Sequence, residues 1–226
     1  MTKQIGRSNE NADEQRPATL LVGTTSRRAL LRKSVISATA VASASLLLTQ
    51  TAGATSRTAL NLSTGQAFQE IRKDEDAHVA FLVGALGSAA RPKPSFKGLR
   101  QDDLEDFITL SRVFENVGVG AYLMAAPAIR SKEILEAAGS ILTIEARHAG
   151  YLDSITDMAL SPNGAFDKPI SQAQIVADVS PFIASLNGGP DPSKPLESDV
   201  DILNFALLLE YLEATYYDIN VPEFFG

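Results

Sequence analysis

Cysteine is absent from the sequence, and only two of its 226 residues are histidine. The missing thiols exclude disulfides, thiolate metal sites, iron–sulfur clusters and cysteine nucleophiles. Any metal or redox chemistry must therefore use oxygen and nitrogen ligands. A second absence concerns the backbone, because no segment alternates apolar and polar residues for long enough to predict a β-sheet.

Residues 1–54 have the features of an export signal rather than of a fold. Arg27 and Arg28 stand together in TSRRALLRKS, which resembles a twin-arginine signal. An apolar run rich in Ala, Ser and Thr follows over residues 35–48, and a small-residue cleavage site, AGA, ends at Ala54. A membrane anchor is the alternative, but the run is short and contains polar residues. We therefore predict recognition by the twin-arginine export machinery, cleavage near Ala54, and a periplasmic or extracellular mature protein.

Removal of this signal leaves a strongly acidic chain. Residues 1–54 hold seven of the 20 Lys and Arg residues and three of the 27 Asp and Glu residues, so residues 55–226 carry a net charge of about −11. Such a surface repels phosphate backbones and attracts cations. Nucleic acid is therefore not expected as a partner, whereas a metal ion is.

The mature chain, residues 55–226, is predicted to be one all-α domain, a four-helix bundle. Apolar residues recur with a period of 3.6 in four segments, at lengths typical of such a bundle. These segments span about residues 63–86, 102–126, 131–159 and 199–222. Only about four residues separate the second and third segments, which are therefore expected to be antiparallel neighbours. The other connections, of about 15 and 37 residues, are long enough to cross the bundle, and the longer one contains a possible short helix at 172–177.

Both histidines follow a glutamate by three residues, as Glu75 with His78 and Glu145 with His148. Positions i and i+3 project from the same side of a helix, so each pair can bind one metal ion. A single pair of this kind is common and weak evidence. Its occurrence at both histidines of the chain favours a shared metal centre over chance.

The other two helices each place a glutamate within their apolar stripe. These are Glu115 on the second helix and Glu210 or Glu213 on the fourth. One Glu from each of two helices and Glu-x-x-His from each of the other two form the ligand set of di-iron and di-manganese bundles. Four carboxylates and two neutral imidazoles also balance two divalent cations, and without metal the buried carboxylates would be costly. The sequence therefore predicts two divalent ions, Fe or Mn, as cofactors.

Three residues close to this set have open roles. Glu210 is favoured over Glu213 as the ligand because small and apolar residues flank it at helical spacing, which leaves Glu213 as a bridging ligand or a hydrogen-bond partner of one. Tyr122 and Tyr217 each follow a proposed ligand by seven residues. They either hydrogen-bond a ligating carboxylate or are ordinary core aromatics.

Four phrases of the sequence resemble the exported ferritin-like domain family, which includes the desiccation-related proteins. They are EDAHVAFLVGALG, FENVGVGAYLMAAP, AAGSILTIEARHAGYL and DILNFALLLEYLEATYYD. The resemblance implies a ferritin-like four-helix bundle with long crossover connections. In the family the LEYLEATYY helix comes first, whereas here it is last, so we expect a circular permutation. Two alternatives stay open: a last helix that packs into a neighbouring subunit as a domain swap, or one that begins a lost second domain of a rearranged or truncated chain.

The metal set and the resemblance lead to three functional hypotheses. The first is a non-haem dinuclear metal protein that oxidises Fe(II) or consumes peroxide, including manganese-catalase chemistry, with a metal ion or a small-molecule oxidant as its partner. The second is a non-enzymatic stress or desiccation-related protein that keeps the bundle without turnover. The third is mineral storage in a cage, which requires a homo-oligomer.

Overall fold

The computed structural model describes residues 63–226, which form an all-α bundle of four long helices and one short helix. The bounds are Thr64–Leu86 for α1, Leu104–Ala125 for α2, Lys132–Ile155 for α3, Gln172–Val179 for α4 and Asp199–Phe225 for α5. The predicted export signal lies outside the described residues. Among the residues described, no helix is long and apolar enough to cross a membrane.

Polar caps determine where these helices begin. A side-chain oxygen at each N-cap accepts a hydrogen bond from the backbone N–H three residues further on, which satisfies one of the unpaired donors of the first turn. The N-caps are Ser63, Asp103, Ser131, Ser171 and Ser198.

The third helix is four residues shorter than predicted. α3 ends at Ile155 rather than at residue 159, because Asp157 adopts the left-handed conformation with φ of 58°. The N–H of Met158 then returns to the carbonyl of Asp153 at 2.8 Å. This closure pairs a carbonyl that the end of the helix leaves without a partner.

The last helix is longer than predicted, since α5 continues through Pro222 to Phe225. Proline removes only one helical hydrogen bond when it lies in a last turn. The ring of Phe225 stacks on Phe68 at 5.3 Å and the ring of Phe224 stacks on Phe107 at 5.4 Å. The burial of these rings offsets the lost hydrogen bond.

The long helices pair as α1 with α5 and α2 with α3. Gly65 at the start of α1 lies against Phe225 at the end of α5, so these two helices are antiparallel. α1 and α2 are parallel, because the rings of Phe68 and Phe107, near their starts, are 4.8 Å apart. In this structure the last helix therefore packs within its own chain.

Both long connections run the length of the bundle and meet in a small sheet that was not predicted. β1, Ser95–Phe96, lies between α1 and α2, and it pairs antiparallel with β2, Ile183–Ser185, between α4 and α5. The expectation of no strand is therefore wrong for these residues. Strands this short cannot show an alternating pattern.

The core consists of two apolar clusters separated along the bundle axis by a polar layer. One cluster contains Phe68, Phe107, Leu152 and Tyr217, and the other contains Leu82, Ile141 and Leu207. On α1, α3 and α5 the polar residues lie between a member of one cluster and a member of the other. The polar layer is therefore closed off from solvent along the axis.

Candidate metal centre

The polar layer contains all seven residues that the sequence analysis proposed as ligands. All of them are buried: Glu75, His78, Glu115, Glu145, His148, Glu210 and Glu213. The most exposed of the seven, His78, retains only 8% of its accessible surface. Four helices each contribute to one buried cluster of ionisable groups, an arrangement that is costly unless the groups neutralise one another or bind cations.

Glu75, His78, Glu145 and Glu210 form a first group, with one ligand atom from each within 4.8 Å of all the others. Nδ1 of His78 lies 3.2 Å from an oxygen of each of the three glutamates. One ring nitrogen carries at most one hydrogen, so it cannot donate to three oxygens. Ligands bound at about 2.1 Å to one octahedral ion lie roughly 3 Å apart, close to the spacing found here.

Glu75, Glu115, Glu145 and His148 form a second group of the same kind. Nδ1 of His148 lies 3.0 Å from Oε1 of Glu75 and 3.2 Å from Oε2 of Glu115. The other ring nitrogen, Nε2, lies 3.2 Å from Oδ2 of Asp74. The imidazole therefore turns Nδ1 toward the group and Nε2 away from it.

Glu75 and Glu145 belong to both groups, as bridging ligands of two ions would. Glu75 turns Oε2 toward His78 and Oε1 toward His148. Within residues 63–226, five buried carboxylate oxygens have no assigned hydrogen bond: both oxygens of Glu145, Glu75 Oε1, Glu210 Oε2 and Glu213 Oε2. Three of the five lie 3.0–3.2 Å from a histidine Nδ1, but the two Nδ1 atoms carry at most one hydrogen each. Such oxygens are costly to bury unless a cation meets them. Hard oxygen donors with two imidazoles fit iron or manganese.

Two tyrosines hold the remaining glutamates of the groups. The hydroxyl of Tyr122 donates to Oε1 of Glu210, and that of Tyr217 donates to Oε1 of Glu115, each at 2.5 Å. In both glutamates Oε2 is left facing a histidine. Of the two roles considered for the tyrosines, the structure shows the hydrogen bond to a proposed ligand.

Glu213 lies beside the two groups and belongs to neither. A Cβ atom added to Gly118 would lie 2.5 Å from Oε2 of Glu145 and 3.4 Å from Oε1 of Glu213, so both carboxylates converge on the bare backbone of α2. Glu210 occupies the position in the first group. Glu213 adds a fifth buried carboxylate, and in the part of the chain that the structure describes its Oε2 has no hydrogen-bond partner.

Burial and mutual repulsion raise the pKa values of several of these carboxyl groups. Burial, with the nearby charge of Glu115, raises the pKa of Glu75 to about 7. Burial first, and then the charges of neighbouring glutamates, raise the pKa of Glu145 and of Glu213 well above the usual range. Burial opposes protonation of the two histidines, but their contacts with the glutamates outweigh it and raise the pKa of both. Without a cation, the cluster holds protons.

The metal-free protein is therefore expected to be more stable near pH 5 than near pH 8. The carboxyl group of Glu75 titrates at about 7 in the folded state and at 4.5 without the fold, so folding takes up a proton between these values. The contribution of Glu75 to the free energy of unfolding is fully present below about pH 4.5. It decreases by about 3 kcal/mol as the pH rises from there through 7. The histidines act in the same direction, because their raised pKa stabilises the fold below about pH 6.5 and this stabilisation is lost at higher pH.

Thermal unfolding of chelator-treated protein at the two pH values measures this difference. Addition of Mn(II) should stabilise the protein more at pH 8, because protons then compete less for the ligands. A metal-free protein that becomes more stable as the pH rises to 8 would contradict the assignment of raised pKa values to this cluster.

Two residues of the centre were not predicted from the sequence. Asp74 is the residue directly before Glu75, and its acidity was the available signal. Gly118 follows Glu115 by three residues on α2, but its role as the space for two carboxylates depends on packing between helices. No spacing pattern in one sequence reports such a contact.

The geometry defines a class of protein, a four-helix bundle with a carboxylate and histidine cluster suited to metal ions. A family model described as a ferritin-like domain matches residues 33–157, more than half of the chain. The chain therefore belongs to the ferritin-like domain family. The match begins inside the predicted export signal, covers α1 to α3, and ends before α5. Comparisons with curated proteins and with solved structures find no match.

Proposed function

We propose that this protein binds two divalent ions, iron or manganese, in the polar layer of its bundle. The observation that carries the proposal is the sharing of Glu75 and Glu145 by two ligand groups, each with its own histidine. Glu115 and Glu210 would be the terminal ligands. Glu213 would be an additional carboxylate beside the bridging Glu145.

The bound metal pair would supply electron transfer to oxygen or peroxide. The chain's own residues bind the ions and exclude water, because the ligands are buried. Tyr122 and Tyr217 orient the terminal carboxylates through their hydroxyl groups. Glu213, with its raised pKa, is placed to hold a proton near the centre.

We infer that the reaction is the oxidation of Fe(II) or the consumption of peroxide, with protection against stress as its role. The test is to load the protein with iron or manganese and to measure both Fe(II) oxidation and peroxide loss. A Glu145→Ala/His148→Ala variant is the control, since it removes one bridging ligand and one histidine. Activity in the wild type and none in the variant supports the inference. A fully loaded protein with neither activity overturns it.

A non-enzymatic stress or desiccation-related protein is the second candidate. The observation that favours it is the burial of the ligands, because a closed centre restricts the access of a substrate. This candidate predicts two firmly held ions that stabilise the bundle without turnover. The loaded protein would then show a raised melting temperature and no loss of peroxide, the outcome that separates the two candidates.

We also propose that the helix order is circularly permuted relative to the family. The end of α5 lies beside the start of α1, where Gly65 meets Phe225, so a short turn would join them in the expected family order. The test is a chain in which residues 198–226 precede residue 63 through a short linker. A folded, metal-binding product supports the permutation, and an unfolded or swapped dimeric product contradicts it.

We propose export through the twin-arginine route, on the basis of the paired arginines and the small-residue cleavage site. An Arg27→Lys/Arg28→Lys change should trap the protein inside the cell. Fractionation of cells that express each form measures the effect. Unchanged export of the variant would contradict the proposed route.

A further inference from the structure

We infer that the two metal positions are unequal, and that Asp74 makes the position held by His148 the first to fill. The inference rests on the proposed dinuclear centre. We call the position formed by Glu75, Glu115, Glu145 and His148 the His148 position. We call the one formed by Glu75, His78, Glu145 and Glu210 the His78 position.

The glutamates of the two positions are arranged alike and do not distinguish them. Glu75 and Glu145 are common to both positions. Each position has one further glutamate, and its Oε1 accepts a hydrogen bond of 2.5 Å from a tyrosine on the opposite helix: Tyr217 for Glu115 and Tyr122 for Glu210. Any difference in affinity that the protein builds in must come from elsewhere.

The histidines differ in what holds their second ring nitrogen. Nε2 of His148 lies 3.2 Å from Oδ2 of Asp74, so an N–H there donates to a carboxylate. Within residues 63–226, the contacts of His78 all involve Nδ1, and no hydrogen bond or ion pair reaches its Nε2.

A carboxylate at the far nitrogen of a histidine has three effects on a metal bound to the near one. It fixes the hydrogen on the far nitrogen, it holds the ring in place, and it makes the ligating nitrogen more basic. Loss of such a partner typically lowers metal affinity by about 10- to 100-fold. Asp74 is therefore a positioning residue for the His148 position.

The asymmetry has its origin in the two Glu-x-x-His motifs. In the first motif Asp74 precedes Glu75, and from α1 its carboxylate reaches the histidine of the other motif. In the second motif the corresponding residue, directly before Glu145, is Ile144, which has no polar atom in its side chain. The sequence thus supplies a carboxylate partner at this place to one histidine of the pair.

The experiment is a titration of the metal-free, full-length protein with Mn(II), in which calorimetry and EPR monitor binding. Two ions that share carboxylates repel each other, so the second binds more weakly whatever Asp74 does. Two unequal binding steps in the wild type alone would therefore not show that Asp74 causes the difference. The informative variant is Asp74→Ala. Its matched control is Asp76→Ala, which removes an exposed carboxylate from the same helix. Among the described residues, no hydrogen bond or ion pair joins Asp76 to either histidine. Asp74 is itself only partly buried, so its loss should leave the bundle folded.

We expect the first step of binding to weaken by about 10- to 100-fold in Asp74→Ala and to be unchanged in Asp76→Ala. At one equivalent of Mn(II), the wild type should show the hyperfine-split EPR signal of an isolated ion. Asp74→Ala should show a weaker signal from singly loaded protein, because more of the protein is then either metal-free or loaded with two ions. His148→Ala should abolish the tight step, whereas His78→Ala should keep it.

Equal first-step affinities in Asp74→Ala and Asp76→Ala would overturn the inference, as would retention of the tight step in His148→Ala. These outcomes leave the proposed dinuclear centre intact. If the wild type instead binds neither Mn(II) nor Fe(II), the proposed function itself fails.

Discussion

A Glu145→Gln variant of the metal-free protein is expected to be more stable than the wild type, and to lose the second bound metal ion. Both carboxylate oxygens of Glu145 are buried, and within residues 63–226 neither has an assigned hydrogen bond, although Oε1 lies 3.2 Å from Nδ1 of His78. Without metal, this carboxyl group must either add negative charge to a cluster that already contains four other glutamates or take up a proton, as its raised pKa indicates, and either change costs free energy near pH 8. Glutamine, its neutral isostere, avoids this cost and should stabilise the fold by about 1–3 kcal/mol near pH 8.

Metal binding should respond in the opposite direction. Glu145 belongs to both ligand groups, and the amide of a glutamine cannot bridge two ions as a carboxylate can. We therefore expect the affinity for the second ion to fall by at least about 100-fold, more than the loss of a hydrogen-bond partner of a ligand usually causes. Chemical denaturation of the chelated protein and a metal titration measure the two effects. Glu136→Gln, on the exposed side of the same helix, is the control and should change neither.

The opposite signs distinguish a metal site from a structural network. If the buried glutamates existed to hold the helices together, Glu145→Gln would destabilise the metal-free protein. A destabilised variant that still binds two ions would contradict the assignment of Glu145 as a bridging ligand.

A Gly118→Ala substitution is the second change with a large expected effect. The added methyl group would lie 2.5 Å from Oε2 of Glu145, a separation at which one of the two groups must move. Glu145 is confined by the rest of the cluster, so its displacement should lower metal affinity by about 10- to 100-fold. Overpacking should cost about 1–3 kcal/mol, against a gain of up to about 1 kcal/mol from replacing glycine in a helix.

Gly139→Ala in α3 and Gly84→Ala in α1 are matched controls. Each adds the same methyl group at a place where, among the described residues, no atom beyond its immediate chain neighbours and the adjacent helix backbone lies within 4 Å. These two variants should be as stable as the wild type or slightly more so, with unchanged metal content. Unchanged metal affinity in Gly118→Ala would show that the space beside Glu145 is not needed for binding.

The sequence was sufficient to predict the four long helices because their apolar stripes are regular and their caps are strong. The same periodicity placed the glutamates and histidines on inward faces, where the structure finds them buried. The length of each connection was also informative, because a short one forces antiparallel neighbours. These are local signals, and a single sequence carries them.

What the sequence missed depends on contacts between distant residues. The small sheet forms because two connections meet on the surface of the bundle, and the continuation of α5 past Pro222 depends on the stacking of Phe224 and Phe225 on other helices. The contact between Asp74 and His148 likewise joins two helices. Helix periodicity fixes the direction of a side chain and leaves its partner across the bundle undetermined.

The central claim is that this bundle holds two metal ions between shared carboxylates. Its most direct test is the metal content per chain of the mature protein, purified without chelators and measured by elemental mass spectrometry beside the Glu145→Ala/His148→Ala variant. About two ions of iron or manganese per chain, lost in the variant, is the result expected of the ligand set. A folded, helical protein that contains no metal even after reconstitution would contradict the claim.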